Sequence, residues 1–226
     1  MKITAYLATM MAALAIAAPT QTMEAALTKR QFGLGSSTSN ELEEGKCGKV
    51  VFIWARASGE GGNMGSSVGP PTCSGLKDAY SDDDVVCQGV GGAYTAGLSQ
   101  NALPGGSSSG AFAEATRLFN LAATQCPESI IVTGGYSQGS AVINGAVSKL
   151  DSAVQSQVAG AVLYGYTRNA QNDGGIENYP KDQVKVFCAV SDGVCGGALL
   201  VTAGHFTYAG DVDEAVEFLS ARIDAA

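Results

Sequence analysis

A chain of 226 residues, 46% hydrophobic and with a net charge of −8, suits one domain, or at most two small ones, with a sizeable core. The acidic balance, with no Lys/Arg run to offset it, argues against nucleic acid and anionic membranes as partners. A single histidine and six cysteines, none spaced CxxC, argue against a Cys/His zinc site.

The chain opens with Lys2 and an apolar run over residues 5–18, followed by Pro19. That pattern reads as a secretory signal peptide at 1–18. A run of about 14 residues falls short of the roughly 20 that a membrane-spanning helix needs. The dibasic pair Lys29-Arg30 marks 19–30 as a propeptide, and its removal would leave the chain still more acidic. Residues 31–46 are rich in Gly, Ser, Thr and acidic side chains without apolar periodicity, so they read as a flexible N-terminal arm. The compact domain is expected at 47–226.

Within it, short runs apolar on both faces alternate with helical patterns. Strands are expected at 49–55, 84–90, 129–133, 159–164 and 184–190. Helices are expected at 73–80, after Pro70-Pro71, and at 110–124, where Ala111, Ala115, Leu118, Phe119 and Ala122 form one stripe. Two more are expected at 138–150 and 212–223. The alternation predicts a parallel sheet in a three-layer α/β/α sandwich. Six cysteines behind a secretion signal favour three disulfides, but fifteen pairings are open to them.

The sharpest local signal is Gly135-Tyr136-Ser137-Gln138-Gly139, a G-x-S-x-G pattern between an expected strand and an expected helix. That context puts a serine on a tight turn with its hydroxyl exposed and the Gln138 amide at a helix start, able to donate to an oxyanion. A serine hydroxyl needs a base, and His205 is the only histidine available. It lies between the last expected strand and the last helix, where the order Ser, Asp, His puts the base. Asp151, Asp173, Glu177, Asp182 and Asp192 could each be the third member. Asp192, just past the carboxyl end of a strand and enclosed by Cys188 and Cys195, is favoured. Ser58, after the first strand, is a candidate second oxyanion donor.

Together these residues resemble those of the fungal cutinases, over about residues 47–219. The resemblance rests on Phe52-Ile53-Trp54-Ala55-Arg56-Ala57-Ser58, Gln88-Gly89-Val90-Gly91-Gly92-Ala93-Tyr94, Asn101-Ala102-Leu103-Pro104, Gly134-Gly135-Tyr136-Ser137-Gln138-Gly139 and Lys185-Val186-Phe187-Cys188. It implies a small lidless α/β hydrolase with a five-stranded parallel core and the triad Ser137, Asp192 and His205. It implies an oxyanion hole from the Ser58 and Gln138 amides and the Ser58 hydroxyl, with Asn101 supporting Ser58. It implies bridges Cys47–Cys126, Cys73–Cys87 and Cys188–Cys195, and an acyl crevice lined by Leu103, Leu199 and Val201. Two departures stand out: Ala57 where a glycine often precedes the oxyanion serine, and Gly204 where a proline often precedes the histidine.

The expected activity is that of a secreted, extracellular serine esterase acting through an acyl-enzyme. Its expected substrates are the plant polyester cutin and short-to-medium aliphatic esters. No metal or cofactor is implied, no membrane partner is expected, and nothing points beyond a monomer. An acetylxylan esterase-like deacetylase shares the chemistry, and a non-catalytic interaction protein on the same fold is the alternative of another class.

Overall fold

A computed structural model describes residues 36–226. The readings of 1–18 and 19–30, and of the arm's first five residues, lie outside the described residues.

Five strands form one parallel sheet: β1 (Val50–Ala55), β2 (Val85–Gly89), β3 (Ile130–Tyr136), β4 (Val158–Tyr164) and β5 (Val184–Phe187), in the order β2-β1-β3-β4-β5. The alternation of side chains along β1 explains the layers. Val50, Phe52 and Trp54 enter one core and Val51, Ile53 and Ala55 the other, all fully buried. The first core is closed by α1 (Gly69–Ala79), through Leu76, and by a C-terminal helix (Val212–Asp224), through Ala215, Leu219 and Ile223. The second is closed by α2 (Ser109–Gln125) and α3 (Gln138–Val147). The short α4 (Ser152–Gln155), not expected from the sequence, precedes β4, and the C-terminal helix is α5. This is the expected three-layer sandwich.

Local chemistry accounts for the helix boundaries. Pro70 sits in the first turn of α1, where a missing N–H costs nothing. The Ser108 hydroxyl accepts from the Ala111 amide and caps α2, whose buried stripe is Ala111, Ala115, Leu118, Phe119 and Ala122. Burying Leu118 and Phe119 contributes about 1.5–3 kcal/mol each.

Three disulfides tie the layers at their edges. Cys47–Cys126 joins the approach to β1 to the end of α2, Cys73–Cys87 joins α1 to β2, and Cys188–Cys195 closes the loop beyond β5. On a chain-entropy argument these contribute up to about 4.5, 3 and 2.5 kcal/mol.

Three expectations need correction. The expected strand 184–190 stops at Phe187, and Val190 is fully solvent-exposed, because the chain leaves the sheet to enter its disulfide loop. Strand β3 runs on to Tyr136, through Gly134 and Gly135, which pair with Trp54 and Ala55 of β1. Residues 36–46 are not a free arm. Asn40 forms an antiparallel bridge to Gln88 of the edge strand β2, and Leu42 is fully buried. The Glu41 carboxylate accepts from the Cys87 amide (2.7 Å) and pairs with Lys77 (2.8 Å).

Further back, Ser37 O accepts from the Asn63 and Met64 amides (3.0 and 2.9 Å). The Asn63 side chain holds Ser39 through its N–H (2.8 Å) and its carbonyl (3.0 Å). A segment without apolar period is thus docked by polar bonds and one leucine, a pattern that hydrophobic periodicity does not reveal.

Candidate active site

The strand order reverses between β1 and β3, so the loops leaving their carboxyl ends diverge and open a crevice, the usual ligand position in open α/β sheets. Ser58 follows β1 and Ser137 follows β3, on either side of this point.

Ser137 takes φ 54° and ψ −119°, a left-handed conformation rare for a side chain with a Cβ. Such a backbone costs about 1–3 kcal/mol. It is held by the Ser137 amide donating to Tyr164 O (2.8 Å) and by the close approach of α3 to β1. Gly139 makes that approach possible, since a Cβ there would lie 2.0 Å from Ala55 O.

The histidine comes from a different loop. His205 Nε2 lies 2.9 Å from Ser137 Oγ, and His205 Nδ1 lies 2.8 Å from Asp192 Oδ2. Ring and carboxylate are almost fully buried. Asp192 Oδ1 accepts from the Val194 amide (2.9 Å) and Oδ2 from the Tyr208 hydroxyl (2.5 Å). Burial alone would push this carboxyl up. The bonds from Tyr208, His205 and Val194, and the charge of His205, outweigh it and hold Asp192 below the ordinary carboxylate range. An ionised carboxylate can only accept, so Nδ1 carries the ring proton and Nε2 faces the serine as an acceptor.

Tyr208 is itself pushed up, first by burial and then by its bond to Asp192, so it stays a neutral donor. The histidine's main chain is held by the Tyr136 hydroxyl, which donates to His205 O (2.5 Å). Gly204 lets this loop pack closely: a Cβ there would sit 2.3 Å from Ser191 Oγ and 3.0 Å from the Asp192 amide. The loops bearing His205 and Asp192 meet closely because that side chain is missing.

On the β1 side, Ser58 Oγ accepts from Asn101 Nδ2 (2.9 Å) and from Gln138 Nε2 (3.1 Å), so its own proton must point to a third group. Gln138 is fully buried and also donates to Gly97 O (2.9 Å). Among the described residues, the Ser58 and Gln138 amides donate to no main-chain or side-chain acceptor. Leu103, Leu199 and Val201 are nearly half exposed, and Leu98, Leu200 and Phe206 are more so, which gives the surrounding loops an apolar rim.

The structure therefore brings Ser137, His205 and Asp192 into one hydrogen-bonded chain and links Ser58, Gln138 and Asn101 beside it. The other carboxylate candidates stay away from the ring: Asp173 pairs with Lys181 on the surface and Asp182 with Arg222. Sequence reasoning passed over Tyr208 and Tyr136. The signals were present, three residues after the histidine and inside the serine motif, but a tyrosine in either place looks like ordinary core.

Comparison with known proteins bears on the family and the fold. The cutinase family model matches residues 46–223. Cutinase 3 of Emericella nidulans is 52% identical over 94% of this chain and 95% of its own. Probable cutinase 1 of Aspergillus niger is 52% identical over 95% of this chain and 82% of its own. Among solved structures, Trichoderma reesei cutinase in complex with a phosphonate inhibitor aligns with a TM-score of 0.74 at 29% identity, covering 89% of this chain and 86% of that one. An acetylxylan esterase aligns at 0.64 and 21% identity, over 79% of this chain and all of that one, which is a likeness of fold alone.

Proposed function

The chain belongs to the cutinase family and is a carboxylic ester hydrolase, and from that premise we propose that it is a secreted serine esterase acting on cutin and on short-to-medium aliphatic esters. Ser137 is the nucleophile, His205 the base and Asp192 its orienting partner. The amides of Ser58 and Gln138 and the Ser58 hydroxyl form the oxyanion hole. The reading is carried by the unbroken chain Ser137 Oγ, His205 Nε2, His205 Nδ1, Asp192 Oδ2, at 2.9 and 2.8 Å.

His205 takes the serine proton as Oγ attacks the ester carbonyl, and the carbonyl oxygen becomes an oxyanion facing the two unspent amides. Asp192 stabilises the imidazolium without itself being protonated. The imidazolium then protonates the leaving alcohol. Water, deprotonated by the same ring, attacks the acyl-enzyme and frees the acid and the serine. Each oxyanion donor contributes about 2.7–4 kcal/mol to the transition state.

Two features support secretion: the signal-like start of the sequence and three disulfides that suit an oxidising compartment. No helix among the described residues is long and apolar enough to cross a membrane. The apolar rim favours acyl chains over sugar hydroxyls.

The test is a chain-length series of nitrophenyl esters with cutin release and acetylated xylan alongside, on the wild type and Ser137→Ala. Ser137→Ala is expected to lose about 10⁴-fold or more in turnover. Undiminished turnover would remove the serine reading, and preference for acetylated xylan would remove the cutin reading.

A further inference from the structure

The loop carrying Ser58 has an anchor that the ester-cleaving steps do not use. Glu60, two residues on, turns its carboxylate back into its own loop and collects four donors. Oε2 accepts from the Ala57 amide (2.8 Å). Oε1 accepts from the Ser66 amide (3.0 Å), the Ser67 amide (3.0 Å) and the Ser67 hydroxyl (2.7 Å). Room for it depends on Gly65, where φ is +79° and a Cβ would lie 2.4 Å from Oε2.

Resting on the reading of Ser58 as an oxyanion donor, we propose that Glu60 is a positioning residue that aims the Ser58 amide at the developing oxyanion. The argument is one of bracketing. The N–H before Ser58, on Ala57, is fixed by Glu60, and the N–H after it, on Gly59, by Ala96 O (3.0 Å). The Glu60 amide closes the turn onto Ala57 O (3.3 Å), and Arg56 Nε donates to Glu60 O (2.9 Å). Of the consecutive amides from Ala57 to Glu60, only that of Ser58 is left without an acceptor among the described residues. Gly59 has φ +78°, so the turn has no stiffness of its own at that point and depends on its bonds. Ser66 and Ser67 lie just before α1, so the carboxylate ties the donor to a packed helix.

The test compares Glu60→Gln and Ser67→Ala with wild type, each corrected for active sites by burst titration with a phosphonate. An amide at position 60 keeps the shape but must face at least one N–H with an NH₂ group. Glu60→Gln is expected to lose about ten- to a hundredfold in kcat on a short soluble ester, with KM within about twofold. An alkyl boronic acid, which mimics the tetrahedral oxyanion, should weaken in the same ratio. Ser67→Ala, at an exposed position, should show the same signature at about threefold, and it decides the matter alone if Glu60→Gln yields no titratable enzyme. In any variant that yields titratable enzyme, wild-type kcat per titrated site, with the loss seen only as fewer sites, overturns the proposal. Ser137→Ala in the same series keeps the two readings apart: activity surviving in it removes the serine mechanism itself.

Discussion

The two banks of the crevice are held by different forces. On the His205 bank, Asp192 and His205 are buried, the ring packs against Tyr136 and edge-on to Tyr208, and Asp192 lies within a disulfide loop. On the Ser58 bank, Ser58 is partly exposed and held mainly by polar bonds, from Asn101 and Gln138 to its hydroxyl and through Glu60 to its backbone. Burial suits a pair whose charges must feel each other strongly. A bonded but open loop suits the proposed oxyanion donors, which would have to meet a bulky ester. If this contrast holds, damage to the first bank should alter protonation and stability together, and damage to the second should alter turnover alone.

The largest effect should come from Asp192→Asn, which leaves the shape but favours the wrong tautomer of His205. Turnover is expected to fall about 10⁴-fold, measured per titrated site. Next, Asn101→Ala removes one of the two donors to Ser58 Oγ and frees that hydroxyl to rotate. A loss of about 10²-fold or less in kcat, with little change in melting temperature, would mark the polar bank as separable.

Replacing Cys188 and Cys195 together by alanine should cost up to about 2.5 kcal/mol in denaturant unfolding, with a smaller loss of turnover. An unchanged midpoint would deny the disulfide its part in the buried bank.

The smallest effect should be one of pH. The Asp192 carboxyl is held below its unfolded value, so its contribution to stability is present above about pH 4 and is lost as pH falls through the folded value. Tyr208→Phe removes one of the bonds that lower it, so the stability gap between variant and wild type should shrink in acid. The Ala189 amide, which donates to the Tyr208 hydroxyl (3.1 Å), loses its acceptor in the same variant, but that cost does not depend on pH. A gap equally wide at pH 2.5 and pH 7 would leave only that second cost.

The same contrast sets what could be read from the sequence. The strands, the four longer helices and the serine turn follow from apolar runs and from a glycine pattern that few other turns require. The single histidine leaves no choice of base. Asp192 came forward by its place after a strand, although that strand ends three residues earlier than its apolar run suggests. The bonds that hold Ser58 were not legible. Glu60 resembles any loop carboxylate until its four donors are seen, and Asn63 resembles any loop amide. Side chains that serve by reaching back to their own backbone leave no periodic trace.

The docking of residues 37–40 bears on how this enzyme can be shortened for laboratory production. Starting a recombinant chain at Cys47, the first half-cystine, would look conservative. It would strip Asn63 of three of its four side-chain bonds, leaving only the one to Gly89 O (3.2 Å), and would take Ser37 O from two amides just beyond Glu60. The cost would surface as a slower catalyst with its bridges intact, and a start at or before Ser36 avoids it.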